Sequence, residues 1–443
     1  MKDLTTGHEG KLILNFATPM LLGNIFQQLY NVVDSIIVGN FIGKEALAAV
    51  GASFPVIFTL ISFIIGIASG GTIIIAQYFG AKDYEKVKKT IGTMYIFIFF
   101  ASIILTIIGI TLSDFIFHLI QLPEEVIPQA KIYLNTFLLG LVIFFGFNVT
   151  SAILRGLGDS KTPLYFLIIA SLFNVILDLL FVVVFNWGVR GVALATVISH
   201  GGAFVTAILY LNKTHKIINI NLSSLRFDRS IFYQSIRIGV PTGLQHTFVS
   251  LGTMALFRIV NGFGTNVIAA YSVAGRIENL VILPAMNFGQ ALSTFVGQNI
   301  GAKKIERVRS GLLATFLMSS VVSVVISLIL ILFRSDLVGL FTKDTHVVSF
   351  GAQYLLIVAP FYIIFSSMFC LNGVMRGAGD TIIPMFITLF SLWIIRIPFA
   401  WMLSQKMGET GIWWAVPLSW FTGLVFAFIY YMSGRWKLKS VVK

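Results

Sequence analysis

Apolar residues run along this chain in stretches of about 20 or more, separated by short polar segments. Ile91 to Leu112 and Leu312 to Phe333 contain no Asp, Glu, Lys or Arg at all. A helix that spans a bilayer needs about 20 mostly apolar residues, and runs of this length exceed what a soluble core uses. The pattern predicts twelve transmembrane helices over residues 13–39, 47–79, 91–113, 127–154, 163–187, 188–212, 232–259, 267–299, 311–333, 347–375, 382–404 and 410–433. The expected class is an all-α integral membrane protein. The first run is long and lacks a small-residue cleavage pattern, so it reads as a span rather than a cleaved leader.

Composition agrees with this picture. Of 443 residues, 57% are hydrophobic and 11% charged, against roughly 25% charged in a soluble domain. The formal charge of +13 would suit nucleic acid if it were clustered on one surface. Instead, Lys and Arg concentrate in alternate loops: Lys82 to Lys89, Arg155 and Lys161, Lys213 to Arg229, Lys303 to Arg309, and Arg435 to Lys443. That is the positive-inside pattern. It predicts a multi-pass protein of the cell (inner or cytoplasmic) membrane with both termini in the cytoplasm and membrane lipids around it. No nucleic-acid partner is expected. The single cysteine, Cys370, can form no intrachain disulfide.

The chain also repeats itself. Ala76-Gln-Tyr-Phe-Gly-Ala-Lys82 matches Gly297-Gln-Asn-Ile-Gly-Ala-Lys303, and Arg155-Gly-Leu-Gly-Asp159 matches Arg376-Gly-Ala-Gly-Asp380, both at the offset that separates Lys82 from Lys303. Ala48-Ala49 matches Ala269-Ala270 at the same offset, and Pro19 matches Pro241 within a single position of it. The expected organisation is an N-lobe, 1–212, with helices 1 to 6, a cytoplasmic linker, 213–230, and a C-lobe, 231–443, with helices 7 to 12. Six helices per repeat give both halves the same orientation, as in transporters built from parallel repeats. The two Arg-Gly-x-Gly-Asp segments read as cytoplasmic turns, with Asp159 and Asp380 as helix caps. They formally match the Gly-x-Gly-Asp of intramembrane aspartyl proteases, but they fall at helix ends rather than at membrane depth.

Charges inside the spans are the strongest functional signal, because each costs at least about 2.5–3.5 kcal/mol to insert. Asp34 lies in the first span, ~8 Å below its outer end, and Asp178 in the fifth, ~13 Å deep. Thr196, on the returning sixth span, lies ~12 Å deep. Asn31 precedes Asp34 by three residues and Asn174 precedes Asp178 by four, so each pair shares a helix face. The expected cluster of two carboxylates, two amides and a hydroxyl suits either a proton or a hard cation such as Na⁺. The alternative is a packing network of satisfied hydrogen bonds. The second half lacks these carboxylates: Ala255 stands opposite Asp34 and Pro398 opposite Asp178. It has instead a possible polar network of His246, Arg276, Glu278 and Arg396, in which Arg276 and Glu278 are two apart and face different ways. Pro19, Pro55, Pro241, Pro284, Pro360 and Pro417 fall inside spans as expected kinks, and Pro19 shares its helix with Asp34.

In these residues the chain resembles the multidrug and toxic compound extrusion (MATE) transporters, in the prokaryotic branch similar to DinF and MepA. The resemblance covers essentially the whole chain. It rests on Pro19 with Leu29-Tyr30-Asn31 and Asp34, Ala48-Ala49, both Gly-Ala-Lys segments, both Arg-Gly-x-Gly-Asp segments, and Asn174 with Asp178. It implies a V-shaped exporter of cationic or amphipathic drugs or metabolites, acting as a monomer, by alternating access, in antiport with H⁺ or Na⁺. It also implies an N-lobe ion site at Asp34, Asn174, Asp178 and Thr196, with no cofactor. Two other functions are expected to be distinguishable: a lipid-linked precursor flippase of the same superfamily, and a membrane-embedded enzyme. No HExxH, GxSxG or nucleotide-binding loop supports the last.

Overall fold

The computed structural model describes residues 2–214 and 225–442. Residues 215–224, most of the predicted linker, lie outside them. Among the described residues there is no strand. The spans are α1 (Glu9–Ile37), α2 (Lys44–Gly80), α3 (Tyr84–Leu119) and α4, a pair Ile127–Leu139 and Leu141–Gly156 bent by 53°. They continue as α5 (Lys161–Val184), α6 (Gly188–Thr214), α7 (Arg229–Val260) and α8 (Thr265–Gly301). The last four are α9 (Ile305–Leu332), α10 (Thr345–Gly377), α11 (Ile382–Met407) and α12 (Glu409–Met432). Each predicted span has a helical counterpart. By length and apolarity alone, nine helices among the described residues can cross a membrane, or ten with the bent α4; α1 and α7 are the two long helices outside that set.

Burial is inverted relative to a soluble protein. On α9, Leu317, Val321, Val324 and Leu328 are exposed, while Thr315, Ser319, Ser323 and Ser327 face inward one turn apart. On α3, Phe100, Ile104 and Ile107 are exposed, while Ser102, Gly109 and Ser113 are buried. Lipid is as apolar as leucine, so helices associate through small and hydroxylated residues that bring backbones close. Ser327 Oγ donates to the Ala359 carbonyl at 2.5 Å, and Ser319 pairs with Cys370 Sγ at 3.4 Å.

The repeat reappears in the backbone. Positive φ occurs at Gly43 and Gly264, at Lys82 and Lys303, and at Gly158 and Gly379, each pair related by the offset of the sequence repeat. Within the Arg-Gly-x-Gly-Asp segments the two glycines do different work. The second, Gly158 or Gly379, takes the left-handed turn at φ 81° or 94°. The first lets helices touch: a Cβ on Gly156 would lie 2.9 Å from the Thr72 carbonyl, and one on Gly377 would collide with the Ser293 carbonyl. Thr72 and Ser293 again hold equivalent repeat positions.

The prolines divide into two sets. Pro19, Pro55, Pro241 and Pro417 sit inside continuous helices. Pro284 and Pro360 do not: Pro284 opens the second helix of α8, and Pro360 lies in a 3₁₀ turn that interrupts α10. A proline's missing N–H is harmless in a first helical turn, which is where these two fall.

The described chain forms two compact units: Leu22–Gly243 with the first three residues, and Leu244–Lys443 with Leu4–Leu21. In the first, Phe117, Phe145, Leu134 and Leu138 are fully buried; in the second, Trp413, Tyr354 and Phe295 are. The first half of α1 therefore belongs to the second unit. Leu4 is enclosed there, its N–H donating to Gln298 Oε1 at 2.9 Å, and Arg307 pairs with Glu9 at 2.8 Å.

Candidate ion site

α1, α4, α5 and α6 bring the first unit's polar side chains together. Asp34, Asn174, Asp178 and Thr196 are all buried, with Asp178 at 0% exposure. Asn174 and Asp178 lie one turn apart on α5. A π-helical turn, Leu180–Val184, follows directly, and another, Val38–Ile42, follows Asp34 on α1. A π turn inserts one extra residue and shifts the helix face, a distortion common at functional sites.

The Asp34 and Asp178 carboxyls are direct neighbours within this cluster. Two carboxylates held together away from water repel each other, and a proton shared between them relieves that repulsion, because a protonated carboxyl can donate to an ionised one. Asn174, with its amide turned to satisfy both faces, donates to Asp178 Oδ2 at 3.1 Å and accepts from the Thr196 N–H at 3.1 Å. Thr196 Oγ1 bonds the Val192 carbonyl at 3.1 Å and the Tyr30 hydroxyl at 3.3 Å. What remains open is one oxygen on each carboxyl: Asp34 Oδ1 and Asp178 Oδ1 are enclosed and have no partner.

Asn31 does not join this cluster. It is exposed and donates to Gln28 Oε1 at 3.5 Å. At about 100° per residue, Asn31 lies about 60° from Asp34 on one side, whereas Tyr30 lies about 40° away on the other. The buried wedge is on the Tyr30 side. Tyr30 and Tyr133 join the site without having been expected from the sequence; Tyr133 is buried on α4 within electrostatic reach of Asp34, Asp178 and Tyr30. The signal for Tyr30 was its place one turn before Asp34. Tyr133 carried none, because its helix holds no carboxylate to point to the site; its one charge, Lys131, pairs with Asp114 instead. His200, one turn after Thr196, bonds the Thr196 carbonyl at 3.0 Å and packs against Phe144 at 5.0 Å.

Removing the Tyr30 hydroxyl tests its part. A net hydrogen bond is worth about 1 kcal/mol, so Tyr30→Phe should slow transport about fivefold. Initial rates of dye export from vesicles measure this; an unchanged rate would reduce the hydroxyl to packing.

The second unit does not form the single network that the sequence suggested. Arg276 is exposed, about 200° around the helix from Glu278. Glu278 accepts from Tyr354 at 2.5 Å, and Arg396 lies beside Tyr271, at the end of a third π turn, Phe390–Arg396. Trp413 stacks on Tyr271 at 5.6 Å. His246 lies elsewhere, beside Arg376. Tyr133 and Tyr354 are related by the repeat offset, so both units place a buried tyrosine at the same repeat position beside an ionisable group. Asp159 is a helix cap, accepting from the Lys161 and Thr162 N–H groups at 3.1 and 3.0 Å.

Comparison with known proteins agrees with this architecture. The MatE family model matches residues 19–180 and again 241–402, one copy for each half of the repeat. The probable multidrug resistance protein YpnP of Bacillus subtilis is 34% identical, over 98% of this chain and 97% of its own length. YoeA of the same organism, also a probable multidrug resistance protein, is 31% identical over 97% and 94%. A solved structure of a multidrug resistance MATE family transporter of the MOP superfamily, in an outward-facing conformation, has the same fold: TM-score 0.92 at 24% identity, covering 99% of both chains. Two matched repeats over most of its length, and relatives that align from end to end, place this chain in the MatE family of multi-pass membrane transporters, which are not enzymes.

Proposed function

We propose that this protein exports cationic or amphipathic organic compounds in exchange for protons, and that Asp34 and Asp178 carry the proton. The observation behind this reading is the pair of buried, neighbouring carboxyls, which a single shared proton would hold together. A dehydrated hard cation asks for about six oxygens. Here the Asn174 and Thr196 oxygens are already engaged, and two carboxyl oxygens are left. That balance favours H⁺ over Na⁺ at this site. Deprotonation would leave two buried anions in contact, which is unfavourable, so proton loss and a change of α1 or α5 would be linked. Pro19, on the same helix as Asp34, is the proposed point of bending. On this reading the protein is a monomer in the cytoplasmic membrane with both termini inside, and its named relatives support export of drugs.

Purified protein in vesicles, loaded with a fluorescent organic cation, tests the reading. Dye flux should follow an imposed pH gradient and persist when Na⁺ is equal on both sides. Flux that follows only a Na⁺ gradient would replace the proton by Na⁺ at these residues. Flux under neither gradient would remove the exchange mechanism.

A further inference from the structure

Arg155 and Arg376 occupy the same repeat position, each in the last turn of its helix at the predicted cytoplasmic end. Each has its Nε enclosed and without a hydrogen-bond partner. Among the described residues, neither forms an ion pair with a carboxylate. The aspartate of each motif is engaged elsewhere: Asp159 caps α5, and Asp380 accepts from the Tyr430 hydroxyl at 2.5 Å. Favourable interaction with the helix dipole explains a cation at a helix end. It does not explain an Nε shielded from both water and protein.

Arg376 is also held in place. Its Nη2 donates to Gln245 Oε1 at 2.6 Å, and Gln245 Nε2 donates to Thr388 Oγ1 at 2.5 Å. His246 is the neighbouring titratable group. The guanidinium is thus oriented by neutral partners and lacks an anion. A half-buried charge whose partners are all neutral is unfavourable, and a planar fork of N–H donors matches the paired oxygens of a phosphate or carboxylate.

We infer that Arg376 binds the acidic head group, phosphate or carboxylate, of an amphiphile, and that Arg155 is its counterpart in the other repeat. The inference extends the proposed substrate range beyond cations. Neither residue belongs to the Asp34–Asp178 cluster.

The test is direct binding to purified, delipidated protein, read by native mass spectrometry. The probes are phosphatidylglycerol, a carboxylated fluorescent dye and the methyl ester of that dye. An acid should bind ~10-fold to ~100-fold more tightly than the neutral ester, the range of a charge-assisted hydrogen bond. Arg376→Gln should lose that preference, and Arg376→Lys should retain part of it. A preference for the lipid alone assigns the site to a lipid head group, and one for the dye alone to a transported acid; both uphold the inference. Equal binding of acid and ester by the wild type overturns it, as does an unchanged preference in the Arg155→Gln, Arg376→Gln double variant. Thermal unfolding checks that each variant is folded, and if Arg376→Gln is not, the acid–ester comparison and Arg376→Lys still decide. Binding is read without transport, so failure of proton-driven export would leave this result intact.

Discussion

Asp178→Asn and Asp34→Asn should each lower proton-driven export by ~100-fold or more. The reason is thermodynamic. A ligand shifts a conformational equilibrium only by its differential affinity for the two states, and moving a population from 1:99 to 99:1 takes a ratio of about 10⁴. A carboxamide keeps the shape of the carboxyl but cannot take up or release the proton, so nearly all of that driving ratio is lost. Folding should survive, because Asn also donates a hydrogen bond to the remaining carboxyl. The measurement is dye export under a pH gradient, with export down the dye's own gradient as the internal reference. Asp159→Asn is the matched control: it also removes a carboxylate, but from a helix cap where Asn serves as well as Asp. Equal losses in all three variants would mean that general charge, not this pair, matters.

The second large effect is on stability. Within the second unit, α8 and α10 meet backbone to backbone. A Cβ on Gly373 would collide with the Gly289 carbonyl, and one on Gly289 would sit 2.9 Å from the Phe369 carbonyl. Main chain cannot swing aside as a side-chain end can, so Gly373→Val has to push the helices apart. The expected destabilisation is about 3 kcal/mol, the upper range for overpacking. Gly275→Ala, on α8 with open space around it, is the control and should be neutral or slightly stabilising by about 0.4–1 kcal/mol. Thermal unfolding in detergent separates the two. If Gly373→Val melts with the wild type, the helices have slack that the close contact does not suggest.

Much of this was legible in the sequence because the membrane imposes long uniform runs. The apolar stretches marked each span, and near-identical words recurring at one fixed offset marked the repeat. Asp34, Asn174, Asp178 and Thr196 could be grouped because depth follows from counting residues along helices of known direction. Rotation about the helix axis was harder. Asn31 and Tyr30 are adjacent and almost equally near Asp34 in sequence, and only packing against α6 decides which one turns inward. Tyr133 stood out no more than the other aromatics of its span, and the bend of that span at Gly140, where a side chain would collide with Val197, was not legible either. The two glycines of each Arg-Gly-x-Gly-Asp segment looked alike as turn residues. One is a turn residue; the other is a contact surface, visible only once the facing helix is in place. Pro284 and Pro360 read as kinks because apolar runs continue across helix breaks.

The division of α1 and α7 between the two units has a mechanical meaning. In both helices the boundary falls two residues beyond the proline, at Leu21–Leu22 after Pro19 and at Gly243–Leu244 after Pro241. A beam clamped at each end by a different body concentrates its bending strain at its weakest rung. Proline has already removed the hydrogen bond to the carbonyl four residues before it, just ahead of that boundary. From the boundary, about 19 Å of helix reaches Asp34. Both repeats place a proline just before this boundary, but only one of the two arms carries a carboxylate.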